Sequence, residues 1–299
     1  MTTSDKRQVP GYYRLQVGKN VVTAIYDGYI NLSPSLFHGL DDDSINMLID
    51  QKRQLQTSEG IPTAVTTYLI NDGTKKVLLN AGGGNGTMGN IQDNLRASGC
   101  SPEEISAILL THMHFDHICG LVDSAGLAAF PNATIYVSET ESGFWLDPAN
   151  AEAAPEGNKA FFEMAASSIK PYKNAGRFKT FADDSEVLPG IKAITSNGHT
   201  PGHTSFLIGN GEKQLLLWGD IVHSHALQFT HPEVTNDFDS NQTQAAVSRA
   251  SIFKKAAEEN LLIAGDHLPF PGFGYLQKEN RGYSWIPVEY TSFICTDAR

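Results

Sequence analysis

The chain is short of cysteine, of charge and of long apolar runs, and each shortage excludes something. Its three cysteines, Cys100, Cys119 and Cys295, are too few and too scattered for a disulfide framework. Their odd number suits a reducing compartment. No stretch approaches the roughly 18 consecutive apolar residues of a membrane span. The opening segment MTTSDKRQVPGYYR lacks the apolar core of a secretory leader. A cytoplasmic protein without a membrane partner is therefore expected. Lysine and arginine together number 22 against 33 aspartates and glutamates, a formal net charge of −11. So acidic a chain is a poor electrostatic partner for nucleic acid, which argues against a nuclease.

What is present is material for a large core. Hydrophobic residues make up 40% of the 299 positions and charged residues 18%, a balance that supports folding rather than disorder. With no linker-like tract and no short-period repeat, a single domain over residues 1–299 is the economical reading. Strand signals fall at 12–17, at 21–26 closing on Asp27-Gly28, and at 64–70, 76–79, 105–110, 134–137, 191–195, 205–208 and 214–218. Helix signals fall at 41–56, 90–98, 139–146, 159–169 and 242–259. Asn71-Asp72-Gly73 reads as a hairpin turn, 81–86 as a glycine-rich loop, and Ser101-Pro102 as a helix start.

The sharpest feature is Thr111-His112-Met113-His114-Phe115-Asp116-His117, directly after the apolar strand 105–110. Alternation in extended chain turns His112 and His114 to one side. Asp116 and His117 follow where the chain must bend away. Two imidazoles in one direction and a carboxylate–imidazole pair in another are ligands for two metals rather than one. An ordinary polar loop with surface histidines explains neither the spacing nor the position after a buried strand. Downstream, apolar strands run into Gly198-His199-Thr200-Pro201-Gly202-His203, into Gly219-Asp220 and into Gly265-Asp266-His267. Each delivers a histidine or aspartate into a glycine-containing loop, the usual place for a site on a rigid sheet. Any one of these alone is a weak signal.

The order H-x-H-x-D-H, G-H-T-P-G-H, G-D and a late histidine resembles the metallo-β-lactamase fold superfamily, and within it the methyl parathion hydrolase branch. The similarity runs from Pro10-Gly11-Tyr12-Tyr13-Arg14 through Ala129-Phe130-Pro131-Asn132-Ala133 and Phe144-Trp145-Leu146. It continues through Pro189-Gly190-Ile191-Lys192-Ala193 and Ala226-Leu227-Gln228-Phe229 to Phe270-Pro271-Gly272-Phe273-Gly274 and Gly282-Tyr283. The resemblance implies an α+β fold: an αβ/βα four-layer sandwich of two facing mixed sheets, with a dinuclear metal site at one edge. It implies that His112, His114 and His199 hold one metal, that Asp116, His117 and His267 hold the other, and that Asp220 bridges both. Asp116 and Asp220 are then the catalytic carboxylates. Five imidazoles and two carboxylates suit two divalent ions, Zn²⁺ first, with Mn²⁺, Fe²⁺ or Co²⁺ as other occupants. Such a pair turns a bridging water into hydroxide near neutral pH. The implied activity is hydrolysis of small-molecule lactones or aryl esters, with organophosphates as a side activity, and the implied assembly is a homodimer.

Other residues carry open readings. His203 is expected to fix its loop rather than to ligate. Asp266 is either a support for the ligands or a solvated loop acid. His38 and His231 lack local context and read as surface histidines. His223, three positions after Asp220, is placed on the substrate wall, where phosphotriesterase relatives are apolar; packing against the sheet is the alternative, and His225 is weighed beside it. A polar wall there favours carbonyl esters or lactones over dialkyl aryl phosphates. Phe144, Trp145, Phe161, Phe162, Phe229 and Phe273 are candidates for an aromatic pocket suited to an aryl ester, with Trp145 and Phe161 foremost. Cys119 stands where relatives often have glycine and reads as a small filler. Asn80 stands where many relatives carry aspartate, which puts support of the ligands in question. The nearest rival activity is acyl-homoserine lactone opening. A mononuclear sulfur dioxygenase, which uses a subset of the same ligands, and a non-catalytic metal scaffold are the readings from other classes. A glutathione-thioester hydrolase lacks its C-terminal signature here, and a class B β-lactamase often presents cysteine at the position of Asp220.

Overall fold

A computed structural model of the chain describes residues 11–84, 88–211, 213–292 and 294. Pro10, the Asn85-Gly86 end of the glycine-rich loop and Cys295 lie outside the described residues. The first part of the chain forms β1 (Tyr12–Val17), β2 (Asn20–Leu32), β3 (Phe37–His38), β4 (Ile61–Asn71), β5 (Lys76–Leu79), β6 (Ala107–Leu109), β7 (Thr134–Ser138) and β8 (Phe178–Phe181). The second part forms β9 (Glu186–Leu188), β10 (Ile191–Thr195), β11 (Thr204–Ile208), β12 (Leu215–Leu217), β13 (Thr235–Asn236), β14 (Leu262–Ala264), β15 (Phe273–Lys278) and β16 (Tyr283–Pro287). The helices are α1 (Asp42–Gln51), α2 (Ile91–Ala97), α3 (Phe115–Ile118), α4 (Glu139–Trp145), α5 (Pro148–Ala153), α6 (Lys159–Asn174) and α7 (Gln242–Glu258). None among the described residues is long and apolar enough to cross a membrane.

Two seven-stranded mixed sheets result, ordered β1-β2-β4-β5-β6-β7-β8 and β16-β15-β14-β12-β11-β10-β9, with β3 and β13 paired separately. The alternation of side chains along each strand builds the layers. Val77 and Leu79 of β5, Ala107 and Leu109 of β6, and Leu215 and Leu217 of β12 meet between the sheets. The intervening Leu78 and Ile108 face the opposite way, against Leu95 of α2 and Ala165 and Ile169 of α6. Likewise Leu216 and Ile263 pack outward on Ile252, Phe253 and Ala256 of α7. Strands buried on both faces must be continuously apolar, and β6 and β12 are. Helix, sheet, sheet, helix is the expected four-layer αβ/βα sandwich. β6 and the parallel pair β12–β14 end at one edge of it, where the motif loops emerge.

Several element boundaries differ from the sequence expectations, each for a local reason. Strand 21–26 does not stop at Asp27-Gly28. It continues to Leu32 through a register shift between Tyr26 and Gly28, so the Asp-Gly pair makes a bulge rather than a turn. Helix 41–56 ends at Gln51 because Arg53 adopts φ 53° and Gln54 N–H returns to Ile49 C=O, a left-handed cap on a residue other than glycine. Ser101-Pro102 opens only the single turn Pro102–Glu104. The edge strands β8, β9 and β16, and β15 beside the last of them, carry too weak an alternation to show in the sequence.

Candidate metal centre

The H-x-H-x-D-H segment leaves β6 and turns into α3. His112 lies in the connecting turn, His114 is the N-cap of α3, and Asp116 and His117 stand in its first turn. An acid in a first helical turn is stabilised by the helix dipole. His199 comes from the loop between β10 and β11, Asp220 from the turn after β12, and His267 from the turn after β14. Apart from the half-buried His114, all of these ligand candidates are buried.

The side chains converge as two groups, His112–His114–His199–Asp220 and Asp116–His117–Asp220–His267. Within each group the potential ligand atoms lie within 4.8 Å of one another. In the first, His114 Nδ1 is 3.2 Å from His112 Nε2 and 2.9 Å from His199 Nε2. Asp220 Oδ2 is 3.4 Å and 3.3 Å from His112 and His199 Nε2. In the second, His117 Nε2 lies 3.3 Å from both Asp116 Oδ2 and Asp220 Oδ1, and His267 Nε2 lies 3.1 Å from Asp220 Oδ2. Asp220 therefore belongs to both groups.

The donor set fits a pair of divalent ions. His117 Nε2 and Asp220 Oδ1 are buried without a hydrogen-bond partner. Buried polar atoms are seldom left so, and both point into the cluster. Burial, with the neighbouring imidazoles, pushes His112 and His114 well below the usual histidine range, leaving neutral lone pairs. Against burial, the surrounding carboxylates push His117, His199 and His267 up, so an ion would displace protons there. Burial opposes ionisation of Asp220, but His117, His267 and His112 hold its carboxyl well below the usual carboxylate range.

Three of the five imidazoles are also oriented from behind by a carboxylate or a carbonyl. His199 Nδ1 meets Asp239 Oδ1 at 2.9 Å, His117 Nδ1 meets Asp266 Oδ2 at 3.2 Å, and His267 Nδ1 donates to Ala64 C=O at 2.9 Å. Such partners fix the ring angle and the tautomer of a ligating histidine. Asp266 is thus buried among the ligands rather than a solvated acid. Asn80 Nδ2 donates to Asp266 Oδ2 at 2.6 Å, while its Oδ1 accepts from Thr111 N–H at 3.0 Å. The amide links the β5 end to both motif segments, so the departure at position 80 leaves Asp266 supported. Asp239 escaped the sequence reading because no motif surrounds it.

His203 is buried and lies behind the centre. Its Nδ1 donates to Ser196 C=O at 3.1 Å, so its Nε2 is free to accept from Asp220 N–H at 3.1 Å. Burial, with the His199 charge second, pushes His203 down to about 3, consistent with this neutral acceptor. Gly219, with φ 56°, must lack a side chain: a Cβ there would lie 2.8 Å from His203 Nε2.

Above the two groups opens a cleft of about 450 Å³, with Phe144, Trp145, Phe161 and Phe162 on one side and His223 and Phe238 on another. Phe115 also lines it. Phe229 and Phe273 do not. Phe229 packs with Trp218 and Phe253 beneath α7, and Phe273 meets Tyr68 between the sheets. They sit in apolar layers away from the edge. His223 Nε2 lies 3.2 Å from Asp220 Oδ2, nearer the centre than a wall position implied. His225 turns away into a separate cleft beside Lys52 and Phe270. His38 pairs with Asp237 at the surface. His231, expected there too, is 7% exposed and held by Glu233 and Arg281. Cys119 is half-buried against the core around α6.

The chain is 36% identical to a structure described as "hydrolase AbOPH in beta lactamase superfamily", covering 96% of this chain and 100% of that one with a TM-score of 0.91. AidC, described as a dizinc quorum-quenching lactonase with bound N-hexanoyl-L-homoserine product, is 26% identical over 94% of this chain and 99% of its own, with a TM-score of 0.85. An N-acyl homoserine lactonase of Bacillus sp. is 31% identical over 164 residues, 53% of this chain and 55% of that protein. The chain thus spans about half the length of the curated relatives it matches. The sequence profile of the Metallo-beta-lactamase superfamily matches residues 60–279, a span that holds all seven converging ligand candidates, and the chain belongs to that superfamily.

Proposed function

We propose that the chain is a single-domain, metal-dependent hydrolase that opens lactones or aryl esters. The observation that carries this reading is the pair of groups sharing Asp220, with two unpartnered buried ligand atoms, on the floor of an aromatic cleft. His112, His114 and His199 would hold one ion, Asp116, His117 and His267 the other, and Asp220 both; Zn²⁺ is the expected occupant. Such a pair supplies an activated water at neutral pH and polarises the oxygen of the bond to be cleaved. The chain's own residues do the rest. Trp145, Phe161 and Phe162 bury the apolar part of the substrate and exclude bulk water, which strengthens every polar contact inside. His223 Nε2–H lies 3.2 Å from Asp220 Oδ2 and lines the cleft; with the Asp220 carboxylate engaged by the ions, this donor would serve a carbonyl or lactone oxygen of the substrate.

A polar wall at His223 favours a planar carbonyl ester or lactone over a dialkyl aryl phosphate, whose alkoxy groups need apolar surface on that side. A second reading, opening of N-acyl homoserine lactones, is supported by the activities named for AidC and the Bacillus protein. Metal-stripped protein restored with two equivalents of Zn²⁺ or Mn²⁺ would be offered dihydrocoumarin, an N-acyl homoserine lactone and a dialkyl aryl phosphate side by side. Fastest metal-dependent opening of dihydrocoumarin is the expected result. Preference for the homoserine lactone promotes the second reading. Preference for the phosphate defeats the argument from His223. Oxygen uptake with one iron per chain, and no hydrolysis, would move the protein to the dioxygenase class.

A further inference from the structure

We propose that Glu141 is a positioning residue that ties one half of the metal centre to the aromatic wall of the cleft. The inference rests on the reading of the two groups as a metal site. Glu141 is fully buried in the first turn of α4 and belongs to no motif. Its Oε1 accepts from Met113 N–H at 2.8 Å and from Trp145 Nε1–H at 2.7 Å. Its Oε2 accepts from Thr200 Oγ1–H at 2.8 Å and from Gly202 N–H at 2.9 Å.

The positions of these four donors give the residue its role. Met113 separates His112 from His114, and Thr200 follows His199, so three of the four ligands of the first group adjoin a residue that Glu141 grips. Trp145 lines the cleft, and its ring lies edge-on to His114 at 5.6 Å. One carboxylate thereby sets both the H-x-H turn and the G-H-T-P-G-H loop, along with the nearest aromatic. Every partner is a donor and each oxygen takes two. Only an acceptor with four lone-pair sites satisfies that arrangement, which is an ionised carboxylate. Gly202 is shaped to the same contact: a Cβ there would lie 2.2 Å from Glu141 N and 2.6 Å from Ser138 Oγ. Ser138 caps α4 by accepting from Glu141 N–H and donates to Gly202 C=O, locking the helix end to the loop. The second group is held by other means, through Asp266 behind His117 and the Ala64 carbonyl behind His267. Loss of Glu141 should therefore loosen one ion and leave the other.

The test counts bound ions by equilibrium titration of the apo-protein with Co²⁺. Glu141→Gln cannot accept at both ends, so in wild-type background it should keep one tight ion and bind the second about 10–100-fold more weakly. Backgrounds that isolate each half sharpen the result. In His267→Ala, where only the first group is intact, Glu141→Gln should weaken the remaining ion by that factor. In His114→Ala, where only the second group is intact, it should change the affinity less than about twofold. Equal weakening in both backgrounds, the pattern of a merely structural residue, would overturn the proposal, as would none in either. If Glu141→Gln does not fold, Thr200→Val removes one donor of the four without changing side-chain shape, and should show the same asymmetry toward the lower end of the range. A wild-type chain that binds no ion would bring down the hydrolase reading and this inference together. Two wild-type ions with unchanged affinities in the variants would remove this inference alone.

Discussion

Asn236 fixes the tautomer of His223. The Asn236 amide oxygen accepts from Phe238 N–H at 2.9 Å, which turns its Nδ2 toward His223 Nδ1 at 3.2 Å. Nδ1 must then accept, and the proton sits on Nε2, 3.2 Å from Asp220 Oδ2. On the proposed reading the cleft presents a fixed donor to the substrate.

Replacing that donor should separate the substrates. A hydrogen bond to a developing charge is worth about 1.5–3 kcal/mol, so His223→Leu should lower kcat/KM for dihydrocoumarin roughly 10–100-fold. Turnover of a dialkyl aryl phosphate should hold or rise. A parallel fall for both substrates would show that His223 supports the metals rather than the substrate.

Asp220→Asn tests the shared carboxylate. It removes a charge common to both groups, so the variant should bind fewer than two Zn²⁺ ions and lose more activity than the roughly 10–100-fold that follows loss of a ligand's hydrogen-bond partner. Metal analysis after gel filtration, with steady-state kinetics, decides it. A variant holding two ions at full activity would exclude Asp220 as a bridge.

Asn80→Asp should harm this chain. The Asn80 amide donates to Asp266 at 2.6 Å, and an aspartate there would oppose two buried carboxylates. A cost of about 1–3 kcal/mol is expected, read as a lower urea midpoint of the apo-protein. An unchanged midpoint would mean that the pair relaxes or shares a proton.

Gly202→Ala should be costly in the same assay. Its Cβ would lie 2.2 Å from the backbone nitrogen of Glu141, and overpacking of this kind costs about 1–3 kcal/mol. Gly176→Ala serves as a control for steric crowding, since a Cβ there meets nothing within 4 Å, although its φ of 66° carries a strain of its own.

At the far end of the β4–β5 hairpin, backbone donation from Lys75 and contacts from Thr74 hold Asp72 down at about 2. A depressed carboxyl contributes stability above its unfolded value near 4, and loses it as pH falls through about 2. Asp72→Ala should therefore destabilise at pH 7 and converge on wild type toward pH 2. The gap should stay below about 1 kcal/mol because the group is exposed. Denaturation curves at both pH values measure it.

The ligand candidates were legible because each sits in a local pattern, and the family resemblance supplied their division between two ions. His112, His114, Asp116 and His117 occupy six consecutive positions after an apolar strand, and His199, Asp220 and His267 each sit in a glycine-containing loop at a strand end. Spacing along the backbone determines where such residues point, so a linear reading recovers them. The layers were legible only through the family resemblance: Val77, Leu78 and Leu79 are all apolar in sequence, and only the pleat shows that the middle one faces the helices. What holds the ligands was not legible. Glu141, Asp239, Asn236 and the partnership of Asn80 with Asp266 join segments between 13 and 186 residues apart or stand alone in polar stretches. Nothing in the sequence distinguishes a buried acid from a solvated one. Likewise Phe229 and Phe273 look no different from Phe115 and Phe238, yet the first two fill apolar layers and the last two line the cleft. The sequence by itself determined which residues can ligate, because coordination chemistry belongs to the side chain. The tertiary structure alone decided which polar groups are desolvated together, because burial is a property of the packed chain.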